Sequence, residues 1–448
     1  MSQFETYVGF DYGTSHCSMG VWRDGSLQLV PFEDGEAGST LIASTLYAPK
    51  PDLVLEHGDD ARLDMSTQSF AALRFGDEAL NAYLADPLEG FFVKSPKSFL
   101  GAPGLNEEVR NRFVSVVAAM MGNVKRQAER LAERELTQVV IGRPVNFQGA
   151  GGAAENQQAL MMLVSAAREV GFEEVSFLYE PMAAAMEYES RLNTEQRVLV
   201  VDVGGGTTDC SFVRVGPDLA DKRDRDDDVL GHAGERLGGN DYDQALALHA
   251  VMPKFGLGDE LSSGLPIPNT YFVDAVSTND VNAQQRFYAP GTAERLDVFV
   301  RDGLHPERVA RLRALRAGRA TYRLLNQVER AKIELSVAHE TKVDLTFLEP
   351  SQQLLKKPRL AVPARRGALA RSSQRLLQHL GDLIGEVRRQ AGTEPDVAYL
   401  TGGMARSVVV REHLKQVLGE VGYLDSDHFA SVTQGLTLRS RALWGQPP

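Results

Sequence analysis

Residues 198–212 read VLVVDVGGGTTDCSF. Branched aliphatics make a buried strand that carries a single carboxylate, Asp202, into a turn of three glycines, Gly204, Gly205 and Gly206. A second, alternating strand opens at Thr207. Successive glycines leave backbone N–H groups bare, and such a nest can close around phosphate oxygens. Asp202 and Asp209 put negative charge beside that nest, which makes chemical sense when a cation such as Mg²⁺ accompanies the phosphate. The competing reading is a tight hairpin whose glycines only satisfy turn geometry.

A second copy shifts the balance. Residues 7–18 read YVGFDYGTSHCS: an apolar strand, Asp11, Gly13, the hydroxyls of Thr14 and Ser15, then another strand through Met19 and Val21. Two such hairpins about 190 residues apart predict two related half-domains whose phosphate loops face each other across a triphosphate.

Bulk properties bound the function classes. The chain has 448 residues, 43% hydrophobic and 24% charged, enough for two cored lobes. A net charge of −12 and a pI near 5.4 disfavour a nucleic-acid or anionic-membrane surface. The opening MSQFET has no basic, apolar leader pattern, and no apolar run approaches the roughly 20 residues a membrane span needs. The expectation is a soluble cytoplasmic protein, monomeric, without nucleic-acid or membrane partners. Cys17 and Cys210, the only cysteines, exclude a disulfide framework or zinc cluster. Each lies just past a glycine turn, as a thiol near the nucleotide or as a small buried strand residue.

Between the hairpins, residues 49–90 look like a small inserted subdomain, and FFVKSPKSFLG at 91–101 follows. Composition alone reads Lys94 and Lys97 as solvated heads on buried stems, the alternative being a point charge for phosphate. Helical periodicity runs from 107 to 135, its charged tail a solvated face. A strand at 138–147, a glycine-alanine loop at 149–154, a helix at 155–171 and a strand at 175–179 follow. Glu180 then precedes Pro181 at a helix start, as a charge favoured by the helix dipole or as a group holding water or metal beside the phosphates. Residues 218–228, DLADKRDRDDD, read as an exposed hairpin loop, without the glycine and terminal glutamate of a calcium loop.

The ordered set of motifs resembles the nucleotide-binding domain of DnaK-type heat-shock chaperones, in the actin-like ATPase superfamily. Its carriers are DYGTS at 11–15, EPMAAA at 180–185, DVGGGTTD at 202–209, LGGNDYD at 237–243, ERAKIELS at 329–336 and YLTGG at 399–403. The likeness is greatest to the short, YegD-like members that lack a peptide-binding domain. It implies an α/β, two-lobed actin-like ATPase fold, with duplicated mixed five-stranded sheets flanked by helices and a subdomain inserted in each lobe. Lobe I would span 1–189 with its insertion at about 38–97, and lobe II 190–430 with an enlarged subdomain at about 240–366. A final helix in 431–448 would pack back near the hinge.

The resemblance also implies roles. ATP or ADP would bind with Mg²⁺, which Asp11 and Asp202 would hold mostly through its waters. Gly13, Thr14, Ser15 and Gly204, Gly205, Gly206 and Thr207 would line the phosphates, with Gly238 and Gly239 beside them. Lys97 looks like the catalytic lysine and Glu180 would orient the attacking water. Glu329 and Lys332 would bond the ribose and Ser336 the adenine, with Gly402, Gly403 and Arg406 completing the purine pocket. A client protein or co-chaperone would be the partner.

Departures accompany the likeness. The stretch 429–436, FASVTQGL, lacks the family's aspartate, Asp427 being displaced, and Asn240 stands where an acidic residue is usual. Pro144 matches a signalling proline whose arginine partner would fall near Leu160. Residues 256–319 have no counterpart, and their arginine run at 308–319 reads as a solvated helix face, or less readily as a surface for an acidic partner. No peptide-binding domain is expected after 448, so a chaperone role rests on kinship. The leading expectation is therefore a slow ATP hydrolase. A nucleotide-gated binding module, a small-molecule kinase and a filament former are its rivals.

Overall fold

The structure, a computed structural model, describes residues 4–445 apart from 35–37, 51–64, 66–68, 103, 105, 148–152, 220–221, 223–224, 349–359 and 426–429. The glycine-rich residues 149–152 and the displaced Asp427 with Phe429 thus lie outside the described residues. The chain divides into two compact units, one of residues 1–239, 379–405 and 414–448, the other of 240–378 and 406–413.

In the first unit the strands run β1 (Phe4–Tyr12), β2 (His16–Arg23), β3 (Ser26–Leu29), β4 (Ile42–Ala43), β5 (Thr45–Pro49), β6 (Arg74–Phe75), β7 (Gly90–Lys94), β8 (Gln138–Arg143), β9 (Glu174–Tyr179), β10 (Gln196–Val203), β11 (Thr208–Val215) and β12 (Val229–Glu235). The second unit holds β13 (Glu340–Asp344) and β14 (Ala361–Arg365), and the first unit resumes with β15 (Val397–Thr401) and β16 (Tyr423–Asp425).

Two sheets of the first unit share one plan. The first runs β3-β2-β1-β8-β9 and the second β12-β11-β10-β15-β16. In each, the first two pairings are antiparallel and the last two parallel. This is the duplicated mixed sheet that the family resemblance implies; the first sheet adds the two-residue β4 against β2. The central strands are covered on both faces, so Val8, Phe10, Val198, Leu199 and Val200 are all fully buried and the sequence runs apolar without alternation. Asp11 pairs with Ser18 across the first hairpin, and Asp202 with Asp209 across the second. Both hairpins thus carry an aspartate where the ladder ends.

Helices cover these sheets. Glu107–Ala132 starts with an Asn106 cap, whose side chain accepts from the Val109 N–H at 2.9 Å, and lays Val117, Met120 and Met121 on the first core. Its charged tail is less solvated than its composition indicates. Lys125 is buried, 2.7 Å from Glu129 and over the Phe172 ring, and Gln127 donates to Asp34 at 2.6 Å. Within the stretch 49–90 the described residues form β6 and the helix Gly76–Ala85; β6 joins the flanking strands β5 and β7 in a three-stranded sheet, and Tyr83 stacks on Phe92 of β7. Leu160, on the helix Ala153–Glu169, packs against the first core.

The helix Ser431–Trp444 lies against β1, β2, β8 and the helix Glu180–Glu189. Side chains at Gly9 or Gly20 would occupy the seat of Thr437, and one at Gly435 would collide with the Ala183 backbone. Trp22 donates its indole N–H to the Thr437 carbonyl at 2.9 Å, while Thr433 bonds Ser18 of the first sheet and Ser431 meets Thr401 of the second at 3.2 Å.

The acidic loop at 218–228 is not simply exposed. Arg225 is buried and forks onto Glu189 at 2.9 and 3.0 Å, while its Nε bonds Asp228 at 2.7 Å. The Glu189 carboxylate also accepts from the Gly216 N–H at 2.9 Å, so the buried charges are paired and hydrogen-bonded as burial requires.

In the second unit, helices surround an apolar core that includes Phe255, Phe272, Phe287, Leu312 and Leu324. The arginine run forms the helix Pro306–Ala317, with Val309, Leu312 and Leu315 turned inward. Its arginines are staples more than a solvated face. Arg308 bonds Asp259 at 2.9 Å and Arg313 bonds Asp297 at 3.0 Å. Arg316 donates to the carbonyls of Phe287, Tyr288 and Ala289, closing the C-terminal end of the helix Val281–Tyr288.

Candidate functional site

The two glycine turns face each other. A side chain on Gly205 would collide with the Ser15 hydroxyl, and one on Gly206 would come within 2.6 Å of the Thr14 methyl. No side chain larger than hydrogen fits between the loops. The second turn is closed by the Gly204 N–H donating to the Thr207 carbonyl at 2.9 Å. It is backed by Gly238 and Gly239. The Gly239 N–H donates to the Gly204 carbonyl at 2.9 Å, and a carbon on Gly238 would approach the Gly206 nitrogen to 2.6 Å. Gly402 takes a φ of +82°, and a side chain there would strike Asp202 and the Val203 carbonyl. Gly403 follows it at the end of β15.

Beside these turns lies a buried charge cluster. Lys97 and Glu180 form a direct ion pair, the lysine 4% and the glutamate 8% exposed. Lys97 sits in the turn Pro96–Phe99 and Glu180 opens its helix with Pro181 second, so both heads are held by short, sharply bent backbone. Asp209 accepts from the Val145 N–H at 2.6 Å and from the Thr207 hydroxyl. The adjoining loop is pinned by Asn146, which donates to the Gly234 carbonyl at 3.0 Å, and by Asn156, which donates to Asn146 and accepts from the Phe147 N–H, both at 2.9 Å. Arg143 stacks over Tyr179, whose ring is 5.7 Å from that of His232.

Electrostatics mark the cluster as short of positive charge. Burial first, then the Glu180 carboxylate, push Asp11 and Asp209 up to about 7, and the same causes raise Asp202. Burial pulls the Lys97 ammonium down, but Glu180 and Asp11 more than offset it and leave it raised. Among the described residues no three His, Cys, Asp or Glu side chains form a direct metal shell. The oxygen donors of Asp11 and Asp202 are of the hard type that suits Mg²⁺.

The remaining candidates sit in other surroundings. In the second unit, Glu329 and Lys332 lie on the helix Thr321–Glu334, and Lys332 makes a buried 2.8 Å ion pair with Asp243. Ser336 follows the helix end, its N–H bonded to the Ile333 carbonyl at 3.0 Å. Arg406 is exposed. Cys17 and Cys210 are fully buried strand residues; burial pushes the Cys17 thiol up to about 12 and raises Cys210 as well, so neither is a thiolate at neutral pH.

A family model described as Hsp70 protein matches residues 7–257 of this chain. The chain belongs to the Hsp70 family. The Hsp70 match carries with it the α/β, actin-like ATPase fold seen in the twin sheets. Similar relatives include the chaperone protein DnaK of Thermotoga neapolitana, 24% identical over 455 residues, with 98% of this chain and 60% of the relative covered. DnaK of Elusimicrobium minutum is 24% identical over 445 residues, covering 98% and 58%. This Hsp70 chain thus spans about three fifths of the length of the relatives it matches. No helix among its described residues is long and apolar enough to cross a membrane.

Asp209, Ser44, Asn146 and Asn156 join the candidate residues. Asp209 is visible beside the second glycine turn, where the first hairpin has Ser18 instead. The other three carry no local signal: Ser44 and Asn146 meet Gly13 and Gly234, 31 and 88 residues away, and Asn156 reaches back nine and ten residues to Phe147 and Asn146 at a spacing that no motif marks.

Proposed function

We propose that this Hsp70-family chain binds ATP with Mg²⁺ and hydrolyses it slowly, as the engine of a chaperone-type cycle acting on a client protein or co-chaperone. One observation carries the reading: two aspartate-bearing glycine turns face each other, Gly205 against Ser15 and Gly206 against Thr14, beside a buried Lys97–Glu180 pair. Bare N–H groups of Gly13, Thr14, Ser15 and Gly204 to Thr207 would cradle the phosphates. Asp11 and Asp202 would accept from the waters of Mg²⁺. The ion, when bound, neutralises phosphate charge. Lys97 would add a point charge at the transferring phosphoryl group, and Glu180 would orient the water whose oxygen bonds to the γ-phosphorus as the bond to ADP breaks. Phosphoryl transfer asks for positioning and charge neutralisation more than a strong base, and this cluster is suited to both. Roles for Glu329, Lys332, Ser336, Gly402, Gly403 and Arg406 toward the nucleoside rest on family likeness.

Calorimetry with ATP and ADP, each with Mg²⁺, tests binding, and single-turnover release of phosphate tests hydrolysis. Absence of affinity for both nucleotides in folded protein sinks the reading; binding without phosphate release leaves a nucleotide-gated binding module. The cradle has its own test. Gly205→Val should lower ATP affinity by about a hundredfold or more, because the valine must displace the facing Ser15 loop. Unchanged affinity in the folded variant would show that the gap between the turns is not where phosphate binds.

A further inference from the structure

We propose that Ser44 is a positioning residue that holds the first phosphate loop in register with Lys97, an inference that rests on the ATPase reading above. Ser44 is 1% exposed and lies between β4 and β5, in neither glycine turn. It spends each of its polar groups on a different neighbour. Its hydroxyl donates to the Gly13 carbonyl at 2.7 Å and its N–H donates to the Ser15 carbonyl at 2.8 Å, so it grips the loop on both sides of Thr14. Its carbonyl accepts from the Ser95 N–H at 2.8 Å, two residues before Lys97. The Cys17 sulfur is 3.3 Å from the same hydroxyl.

That last backbone bond matters because of what Ser95 is. Its φ of 56° and ψ of 53° are left-handed, a costly conformation for a residue with a side chain, and it is the turn that sends Pro96 and Lys97 toward Glu180. Ser95 is completely buried and its own hydroxyl has no hydrogen-bond partner among the described residues, so no side-chain bond of Ser95 found there offsets the strain. The Ser44 carbonyl is a backbone anchor of this turn, alongside the Thr45–Lys94 strand pairing and the Lys97–Glu180 ion pair, and the same residue clamps the phosphate loop. Ser44 therefore sets where the Lys97 ammonium stands relative to Gly13, Thr14 and Ser15. The effect on catalysis is indirect: Ser44 touches no reacting atom in this scheme and acts through Lys97 and the loop.

The test is a double-mutant cycle in the full chain, read by single-turnover ATP hydrolysis with binding measured separately. Ser44→Ala keeps the two backbone bonds and loses the clamp on Gly13. It should slow hydrolysis about tenfold, the usual scale for one buried hydrogen bond, with ATP affinity within about twofold of wild type. In a Lys97→Ala background the same substitution should have almost no further effect, because the residue it positions is gone. Ser44→Cys, close in volume but a weak donor, should fall between serine and alanine, and serves if the alanine variant fails to fold. An equal slowing in both backgrounds, a loss of affinity with an unchanged rate, or no slowing at all would overturn the assignment. A wild-type protein that releases no phosphate would remove the ATPase reading and this proposal with it; hydrolysis that is normal in both serine variants would remove this proposal alone.

Discussion

Lys97→Ala is expected to slow single-turnover hydrolysis by about a hundredfold to a thousandfold while leaving ATP binding within an order of magnitude, because a preorganised charge beside a transferring group acts mainly on the transition state. The lysine is buried and already locked to Glu180, so the site spends no reorganisation on bringing it into position. Its removal takes away the ammonium against which Glu180, Asp11 and Asp209 are balanced. The variant should also be less stable when nucleotide-free, since breaking one side of a buried ion pair costs on the order of 3–5 kcal/mol. Phosphate release measured at saturating ATP separates the two effects. Equal rates for wild type and variant would end the claim that this cluster is catalytic.

The nucleotide-free protein should lose stability as pH rises from about 4 to 7, opposite to the usual trend for acid denaturation. Asp11 and Asp209 stand at about 7 in the fold because burial and Glu180 oppose their ionisation, against about 3.9 in an unfolded chain. Between those values the folded state holds protons that the unfolded state has released, so the stabilisation is complete below about 4 and lost as pH passes through about 7. One carboxyl displaced by about three units corresponds to roughly 4 kcal/mol, so the fall should be plain in urea midpoints. Asp228 and Asp396 are held low by arginines and act the other way only below about pH 4, while His413, lowered by burial, acts the other way inside the window, one group set against the two aspartates. Asp209→Asn should flatten the slope, and saturating Mg²⁺ with ATP should do the same. A midpoint that is flat or rising over this range in the free protein would show that the aspartates are ionised without penalty.

What the sequence discloses here follows from how local each signal is. The two hairpins are legible because an apolar strand, an aspartate and a glycine turn are contiguous, and their repetition announces two related halves; the plan of the twin sheets comes from family likeness. Lys97 is not legible from its neighbours, since its partner Glu180 is 83 residues away and a lysine among aromatics reads equally well as a solvated head. Only family likeness singles it out. Ser44 and Asn156 are ordinary polar residues whose importance arises entirely from what the fold brings to them. The acidic loop misleads for the same reason: DKRDRDDD looks like solvent-facing charge until Glu189, 36 residues earlier, closes on Arg225. The arginine helix is a milder case, its spacing correct and its solvation overstated, because nothing in the run itself reveals the carbonyls that Arg316 caps.

The seating of Thr437 against Gly9 and Gly20 bears on how the molecule is made. The indole of Trp22 finds its acceptor 415 residues further along the chain, so the strands that carry Gly9 and Gly20 leave the ribosome well before the helix that covers them. At typical translation speeds roughly 20–80 s separate the two events. During that interval one face of the strands that carry Gly9 and Gly20 lacks its covering helix, leaving the nascent polypeptide open to wrong associations until synthesis passes residue 437.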